Sequence, residues 1–273
     1  QKKEVIAAWM QMNNKERFVF NKLITGSFRV GVSSKIVVKA IAGFSGIDEA
    51  VISHRLMGSW EASPEFYKEL ISQNTKDADI SRPYPFYLAY QLDNVVESLG
   101  EISDWQAEWK WDGIRSQIIK RDDEVFIWSR GEDLVSDRFP ELYTTAKSLP
   151  NGTVVDGEIL SWKNNKPLPF GRLQKRIGRK NISKKILEDV PAVIIVYDLL
   201  EYNGEDFRAK SLIERRELLE RIIYNLKDKN IILSPLVESK TWDELRKARE
   251  ESRRRSVEGI MLKRKNSAYR VGR

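Results

Sequence analysis

Charged and aromatic side chains alternate in one short run, Glu108-Trp109-Lys110-Trp111-Asp112-Gly113. Successive side chains of an extended strand point to opposite faces, so the charged residues share one face and the tryptophans share the other. With the tryptophans in a core, the charged face lines a cleft or meets solvent. The alternative is an amphipathic edge strand, because Lys-x-Asp-Gly alone occurs by chance in roughly one chain in twenty of this length.

The rest of the composition limits the chemistry that these side chains can perform. The sequence has no cysteine and a single histidine, His54. Disulfides, thiolate metal sites, a cysteine nucleophile, a histidine metal cluster and a Ser-His-Asp triad are therefore excluded. Catalysis must use Lys, Arg, Asp, Glu, Tyr or Ser, with any metal ion held by carboxylates.

Later runs also place charged or aromatic side chains on predicted strands. They are Asp156 and Glu158 in the run 154–160, Tyr197 beside Asp198 in the run 194–200, and Glu258 with Lys263 in the run 257–263. Each run alone can be a core strand with a few polar positions. All of them in this order, in one basic chain, are hard to attribute to coincidence.

The charge balance favours a polyanionic partner. The sequence of 273 residues has a net charge of +7 and a pI of about 9.3. Such a balance is typical of proteins that bind nucleic acid or nucleotides, although many basic proteins bind neither. Apolar runs fall short of the roughly 20 residues that cross a bilayer, and no signal-peptide pattern opens the sequence. These features predict no membrane partner, and a prokaryotic cytoplasmic, nucleoid-associated location or a nuclear one in a eukaryote.

The order of predicted elements indicates a helical module followed by an α+β domain. Helices are predicted up to about residue 75, with Ser34, Asp48 and Ser63-Pro64 as N-caps and a stop at Gly43. Prolines and polar residues in 75–85 indicate a linker. Strands are predicted near 105–120, 124–129, 153–161, 192–200, 231–236 and 257–264, and helices near 137–148, 170–178, 211–224 and 241–254. Turns are predicted at Asp122-Asp123, Asn164-Asn165 and Asn203-Gly204.

In this order the charged runs resemble the covalent nucleotidyltransferase superfamily, which comprises DNA ligases, RNA ligases and mRNA capping enzymes. The resemblance extends from about residue 80 to the end. The matching segments are Lys110-Trp111-Asp112-Gly113 with Arg115, Ser129-Arg130-Gly131, Asp156-Gly157-Glu158, Tyr197-Asp198-Leu199-Leu200 and Glu258-Gly259-Ile260-Met261-Leu262-Lys263.

A segment near the beginning narrows the resemblance to ATP-dependent DNA ligases. The segment 24–32, Ile-Thr-Gly-Ser-Phe-Arg-Val-Gly-Val, is similar to part of the helical DNA-binding domain that precedes their catalytic domain. The resemblance implies a partial all-α DNA-binding domain over 1–78 and an adenylation domain over 79–273. That domain is expected to be α+β and ATP-grasp-like, with antiparallel sheets flanked by helices. The fifth motif, a lysine pair, and an OB-fold domain are absent before the sequence ends, so we expect an interior piece of a longer chain.

The resemblance also implies roles for individual residues. Lys110 is the expected nucleophile that takes AMP from ATP. Mg²⁺ is expected on Glu258 first and on Glu158 second. The residues expected to contact the nucleotide are Glu108, Trp109, Arg115, Arg130, Glu158, Tyr197, Met261 and Lys263.

The implied chemistry requires an uncharged lysine amine, since a free lysine is protonated at neutral pH and cannot attack. Nearby cations or desolvation can lower a lysine pKa, and Arg115, Arg130 and Lys263 are the candidate cations. AMP then passes to a 5′-phosphate at a nick in duplex DNA, and the 3′-hydroxyl displaces it. We expect a monomer with ATP and nicked duplex DNA as partners. The alternatives are an RNA ligase or capping-type nucleotidyltransferase, and a non-catalytic nucleic-acid-binding module.

Overall fold

The computed structural model describes residues 2–24, 34–47, 60–72, 80–92, 95–131, 133–179 and 182–272, together with Glu49, Ile52, Arg55 and Leu56. Most of the segment 24–32 and most of the helix predicted after Asp48 lie outside these residues. The chain forms two compact units, Gln1–Glu49 and Ala50–Arg273. The functional division at residues 78 and 79 stays a prediction. In the part of the chain that the structure describes, no helix has the length and apolar character to cross a membrane.

The first unit contains helices α1 (Lys2–Met10), α2 (Asn14–Ile24) and α3 (Ser34–Ser45). Asn13 separates α1 from α2, because its side chain accepts from the N–H of Glu16 while the Glu16 carboxylate accepts from the N–H of Asn13. This reciprocal capping box starts a new helix inside an apolar pattern that runs on through residues 2–23. Helix α3 continues past Gly43 and ends at Gly46, which has a φ of 69°.

Within the second unit, the start of the helix at Pro64 was predicted correctly. The hydroxyl of Ser63 accepts from the N–H of Phe66, and Pro64 occupies the first turn. The described helices are α4 (Pro64–Leu70), α5 (Pro140–Ala146), α6 (Phe170–Ile177), α7 (Lys184–Asp189), α8 (Leu212–Leu226), α9 (Trp242–Glu250) and α10 (Ser252–Arg255). The described strands are β1 (Trp105–Trp111), β2 (Ile114–Arg121), β3 (Glu124–Ser129), β4 (Thr153–Lys163), β5 (Lys166–Pro167), β6 (Ala192–Tyr202), β7 (Glu205–Asp206), β8 (Ile231–Leu233) and β9 (Val257–Arg264).

Within the described part of the chain, the strands form two sheets. The larger has the order β3-β2-β4-β6-β7, with β5 beside β4 and β8 beside β6, and the smaller pairs β1 with β9. The expectation of antiparallel sheets needs one correction, because β6 and β8 are parallel. Helix α8 lies between them in the chain, and a crossover of this kind returns the next strand in the same direction.

The larger sheet separates a helix-covered core from the face that carries the polar motif residues. Alternate residues of β4, Val155 and Ile159, pack with Leu142 of α5, Leu173 of α6 and Leu219 of α8 in one buried cluster. The residues between them in β4 point to the opposite face. The period of two therefore places the polar motif residues of β4 outside this core.

Segments before β1 and after β9 cover part of the opposite face. Tyr84 and Tyr269 pack with Ile119 and Leu200 in a second buried cluster. The Gln117 side chain fixes the first segment by accepting from the N–H of Tyr84 at 2.8 Å and donating to its carbonyl at 2.9 Å. These residues adjoin the site face of the sheet.

The loops agree with the predicted turn chemistry. Asp122, Asp123, Asn164, Asn165 and Asn203 all have positive φ values, which Asn and Asp tolerate better than other non-glycine residues. The sequence pattern did not predict α7, β5 or β7. Ser256, with a φ of 56°, ends α10 before β9 begins.

Candidate active site

Gly113 lets the chain pass from β1 to β2 close against β4. A Cβ atom at this position would lie 2.3 Å from the carbonyl oxygen of Ile159, far inside van der Waals contact. It would also lie 3.0 Å from Cγ of Glu158. The absence of a side chain therefore allows the end of β1, which carries Lys110, to approach Glu158 closely enough for their charges to interact.

Glu258 is the extra residue of a β-bulge. The register of β1 against β9 shifts after the pair Lys110 and Gly259, which leaves Glu258 without an opposite residue. A bulge redirects the side chain that it carries, and the Glu258 carboxylate forms an ion pair with the Lys110 amine. Both side chains are 44% exposed, so this contact is open to solvent and to a ligand.

Tyr197 occupies a bulge in β6. The register of β6 against β4 shifts between Asp156 and Gly157, and Tyr197 is the residue without an opposite partner. Nζ of Lys263 lies 4.3 Å from the centroid of the Tyr197 ring. An aromatic face beside a cation provides a surface for stacking a nucleobase.

Arg115 of β2 is bound by a buried carboxylate of β4. Its Nε and Nη2 donate to Oδ1 and Oδ2 of Asp156 at 3.2 and 2.7 Å, and Asp156 is 0% exposed. Burial of either charge without the other would cost several kcal/mol, so each ion stabilises its partner in the buried position. Arg115 lies directly opposite Glu158 in the β2–β4 register. The ion pair of Arg115 and Asp156 is therefore next to Glu158, which is also predicted to contact the nucleotide.

Glu108 forms a second buried polar cluster. Its Oε1 accepts from Nζ of Lys263 at 2.8 Å and from Nε2 of Gln106 at 2.8 Å, and the residue is 1% exposed. Gln106, Glu108 and Lys110 alternate along β1 and therefore share one face. The cluster connects β1 to β9 next to the Tyr197 ring.

Two of the three cations expected near Lys110 have carboxylate partners of their own. Arg115 and Lys263 are paired with the carboxylates of Asp156 and Glu108, because a buried cation requires a counter-charge. Arg130 is exposed after β3, and its N–H donates to the carbonyl of Arg115 at 2.9 Å. The contact that the amine itself makes is with Glu258.

Burial raises the pKa of the Glu158 carboxyl to about 8. The positive charge of Arg115 opposes this rise, the negative charge of Asp156 adds to it, and Lys110 and Arg130 oppose it more weakly. Glu158 is therefore mostly protonated at neutral pH. A protonated carboxyl both donates and accepts hydrogen bonds, which suits a contact with hydroxyl groups.

The Glu158 pKa predicts a pH-dependent gain in stability for Glu158→Gln. The folded carboxyl binds its proton more tightly than the unfolded one, whose pKa is near 4.5, so the parent loses stability as pH rises from there to about 8. The neutral amide avoids this loss. We expect a gain of about 2–3 kcal/mol near pH 9, after allowance for solvent screening, and almost none near pH 5. Urea unfolding of both proteins at the two pH values measures it.

An exposed glutamate provides the control for this prediction. Glu188→Gln on α7 should change stability by the same small amount at both pH values, because its carboxyl is in solvent. An equal effect of Glu158→Gln at the two pH values would contradict the assignment of a raised pKa to Glu158.

The remaining predicted contacts lie on β1 and β9. Trp109 is 9% exposed, and the Arg255 guanidinium stacks over its ring at 4.8 Å. Met261 pairs with Glu108 and is partly buried. The predicted site residues therefore lie on strands of the two sheets that Gly113 joins, except for Arg130, which follows β3. Trp109 is on the face of β1 opposite to Glu108 and Lys110.

Other side chains of the site were not assigned a role from the sequence. Asp156 and Gln106 could have been found, since each lies two residues from a predicted contact on the same strand face. Tyr269, whose hydroxyl donates to Asp156 at 2.7 Å, has no such local signal. Outside the site, Arg176 of α6 is 1% exposed and forms a bidentate pair with Glu141.

A metal ion has a limited set of ligands here. Among the residues that the structure describes, no group of three or more Asp, Glu, His or Cys side chains converges on one point. The carboxylates of Glu258 and Glu158 both lie near Lys110. Carboxylate oxygens suit Mg²⁺, which keeps several waters and needs only one or two protein ligands.

Comparisons with known proteins agree with this arrangement. The chain is 30% identical to a probable DNA ligase of Koribacter versatilis over an alignment of 277 positions, gaps included, which covers 92% of this chain and 48% of that protein. It is 29% identical to a DNA ligase of Nanoarchaeum equitans over 268 residues, 95% of this chain and 47% of that one. The chain thus spans about half the length of these relatives.

Solved structures show the same fold. A mycobacterial DNA ligase D complexed with ATP and MES is similar with a TM-score of 0.51 and 26% identity, over 63% of this chain and 52% of that one. The ATP-dependent DNA ligase of bacteriophage T7, in complex with ATP, has a TM-score of 0.52 and 19% identity, over 69% and 65% of the two chains. The sequence model described as ATP dependent DNA ligase domain matches residues 86–273. Because that match covers well over half of the chain, the chain belongs to the ATP-dependent DNA ligase family.

Proposed function

We propose that this chain is the catalytic part of an ATP-dependent DNA ligase that carries AMP on Lys110 and joins nicked duplex DNA. One observation supports the proposal most directly. Lys110, Glu158, Tyr197 and Lys263 come from four strands and form one cluster, in which Glu158 interacts by charge with Lys110 and Tyr197, and Lys263 contacts the Tyr197 ring. A non-catalytic module has no need for a half-exposed lysine at the edge of such a cluster.

The nucleotide is held by the side chains around the Tyr197 ring. The adenine stacks on that ring, and the backbone at Glu108 and Trp109 reads its edge, which favours ATP over GTP. Glu158 and Arg115 hold the ribose hydroxyls. Both are directed by their positions opposite each other in β2 and β4.

The reaction at Lys110 exchanges one bond at phosphorus for another. The amine nitrogen forms a bond to the α-phosphorus, the bond to the bridging oxygen breaks, and pyrophosphate leaves with the electron pair. The amine must lose protons in this step. The carboxylate of Glu258 is in contact with the amine and is placed to accept one, and the other passes to solvent, to which the half-exposed amine is open.

A divalent cation fits beside the nucleophile. Glu258 and Glu158 would hold Mg²⁺, which supplies positive charge that neutralises the phosphate oxygens. A bound cation would also favour the ionised form of Glu158, whose pKa is raised to about 8. The side chains of Arg130 and Lys263 add positive charge from the protein to that of the cation.

The positive charge of the protein and its membership of the ATP-dependent DNA ligase family support DNA as its partner. Exposed cations on α6 and beyond it include Arg172, Lys175 and Arg179, and the whole sequence carries a net charge of +7. Such side chains contact phosphates and do not select a base sequence. The substrate is therefore duplex DNA with a nick, bound by one copy of the chain. The expected location is a prokaryotic cytoplasm beside the nucleoid, or a nucleus.

The proposal is tested by labelling the protein with ATP or GTP, each carrying a radioactive α-phosphate, in the presence of Mg²⁺. We expect covalent, acid-labile label from ATP and at least about tenfold less from GTP. Nicked duplexes with DNA or RNA at the junction are then added to the labelled protein. Transfer of label to the DNA nick supports a DNA ligase.

The other outcomes identify the alternatives. Transfer only to an RNA junction would indicate an RNA ligase, and preferential labelling by GTP would indicate capping-type chemistry. If the protein binds nicked DNA but acquires no covalent label, the ligase proposal fails and a binding module is the better description.

A further inference from the structure

Tyr269 joins the nucleotide site from outside every segment that resembles a family motif. It follows β9 by five residues, and the residue is 7% exposed. Its N–H donates to the carbonyl of Arg208 at 2.8 Å, and the nearby Gly272 forms a parallel bridge with Tyr87. The backbone around Tyr269 is therefore fixed from both sides, and its side chain enters the site from a defined direction.

The hydroxyl of Tyr269 uses its full hydrogen-bonding capacity. It donates to Oδ2 of Asp156 at 2.7 Å, and it accepts from the N–H of Tyr87 at 3.1 Å and from Nη2 of Arg115 at 3.3 Å. A phenol has one donor and two acceptor positions, and all of them are occupied. Burial raises the Tyr269 pKa well above its usual value, so the hydroxyl keeps the proton that it donates.

These bonds complete a closed ring of contacts around Arg115. Nη1 of Arg115 donates to the carbonyl of Tyr87, whose N–H donates to Tyr269. Nε and Nη2 donate to Asp156, which also accepts from Tyr269. A guanidinium has five N–H groups, and these contacts use four of them. The fifth, on Nη1, makes none of these contacts. The orientation of Arg115 toward a ligand therefore depends on the groups that hold the other four.

We propose that Tyr269 is a positioning residue for nucleotide binding, whose hydroxyl fixes Arg115 in the orientation that meets the ribose hydroxyls. The inference rests on the proposed function, because it requires a ribonucleotide in the site. Without the hydroxyl, the N–H of Tyr87 and one N–H of Arg115 lose their acceptor, and Asp156 loses a donor. Arg115 can then turn to recover hydrogen bonds, and its remaining N–H no longer points to the ribose.

The test compares Tyr269→Phe with the parent in binding two nucleotides that cannot adenylate the protein. They are α,β-methylene ATP and its 2′,3′-dideoxy counterpart, titrated by calorimetry with Mg²⁺ present. We expect Tyr269→Phe to bind the ribose form about tenfold more weakly and the dideoxy form within about twofold of the parent. The ratio of the two affinities therefore falls, a change that general loosening of the fold does not produce.

Tyr202→Phe is the matched control. It also removes a phenol hydroxyl, from a ring that packs edge-to-face against Phe207 with centroids 6.4 Å apart beside the helix-covered core, and Tyr202 has no part in the ring of contacts around Arg115. This variant should keep the parent ratio. Equal losses for both nucleotides in Tyr269→Phe, or no loss for either, would overturn the inference. A parent that binds neither nucleotide would overturn the proposed function and the inference with it.

Discussion

Lys110→Ala is expected to abolish the covalent AMP adduct. The amine is the only group in the proposed site that forms the new bond to phosphorus, and its removal leaves no substitute. Lys263, the other lysine beside Tyr197, is held by Glu108 at 2.8 Å and is 20% exposed in its side chain. We expect a loss of at least about 10⁴-fold in the rate of adduct formation, the range typical when a covalent nucleophile is removed. Intact-protein mass spectrometry after incubation with ATP and Mg²⁺ measures the adduct.

A control and a second measurement separate this chemistry from a loss of fold. Lys247→Ala, at an exposed position of α9, should form the adduct as the parent does. Lys110→Ala should retain the unfolding free energy of the parent within about 1 kcal/mol, because its side chain is 44% exposed. Peptide mapping of the labelled parent should place AMP on the β1 peptide. An adduct of parental abundance in Lys110→Ala would disprove the assignment of the nucleophile.

The site elements could be predicted from the sequence because a strand has a period of two. That period alone places Lys110 with Glu108, and Glu158 with Asp156, on single faces. The start of the helix at Ser63 and the turn at Asn203-Gly204 could also be predicted, because the chemistry of a cap or a turn is contained in a few adjacent residues.

Contacts between distant segments could not be predicted in this way. Both bulges depend on the register of a partner strand, and so the redirected side chains of Glu258 and Tyr197 have no signature in their own strands. The carboxylate partners of Arg115 and Lys263 likewise have no local signal in the sequence. Burial requires each to have a carboxylate partner, and those partners are 41 and 155 residues away in the chain.

Helix boundaries show the same limit on a smaller scale. The apolar pattern of residues 2–23 continues through the break between α1 and α2. Hydrophobic spacing therefore carries no information about the capping box that divides the two helices. Arg176 follows the exposed Lys175 in α6. Glu141 and the carbonyls of Arg138 and Val190 nevertheless hold Arg176 in the interior. Long-range partners, and not local composition, decide whether such a side chain is buried.

Gly113, the glycine of the Lys-x-Asp-Gly segment, should not tolerate even the smallest side chain. Gly113→Ala is expected to destabilise the protein by about 3 kcal/mol, because the added Cβ would lie 2.3 Å from the backbone carbonyl of Ile159 and β2 must move away from β4. Urea unfolding measures the loss. Gly171→Ala on α6 is the matched control, since its Cβ meets nothing within 4 Å. That variant should be as stable as the parent or gain up to about 1 kcal/mol from helix propensity.

Adenylation tests whether the glycine serves the site as well as the fold. A shift of β1 against β4 separates Lys110 from Glu158, and a displacement of about 1 Å at a reacting group lowers a rate by about 100-fold. We therefore expect Gly113→Ala to form the AMP adduct about 100-fold more slowly under conditions in which it is still fully folded. If the folded variant forms the adduct at the parental rate, the close passage of β1 over β4 is a feature of packing alone, and the position of the nucleophile depends on β9 instead.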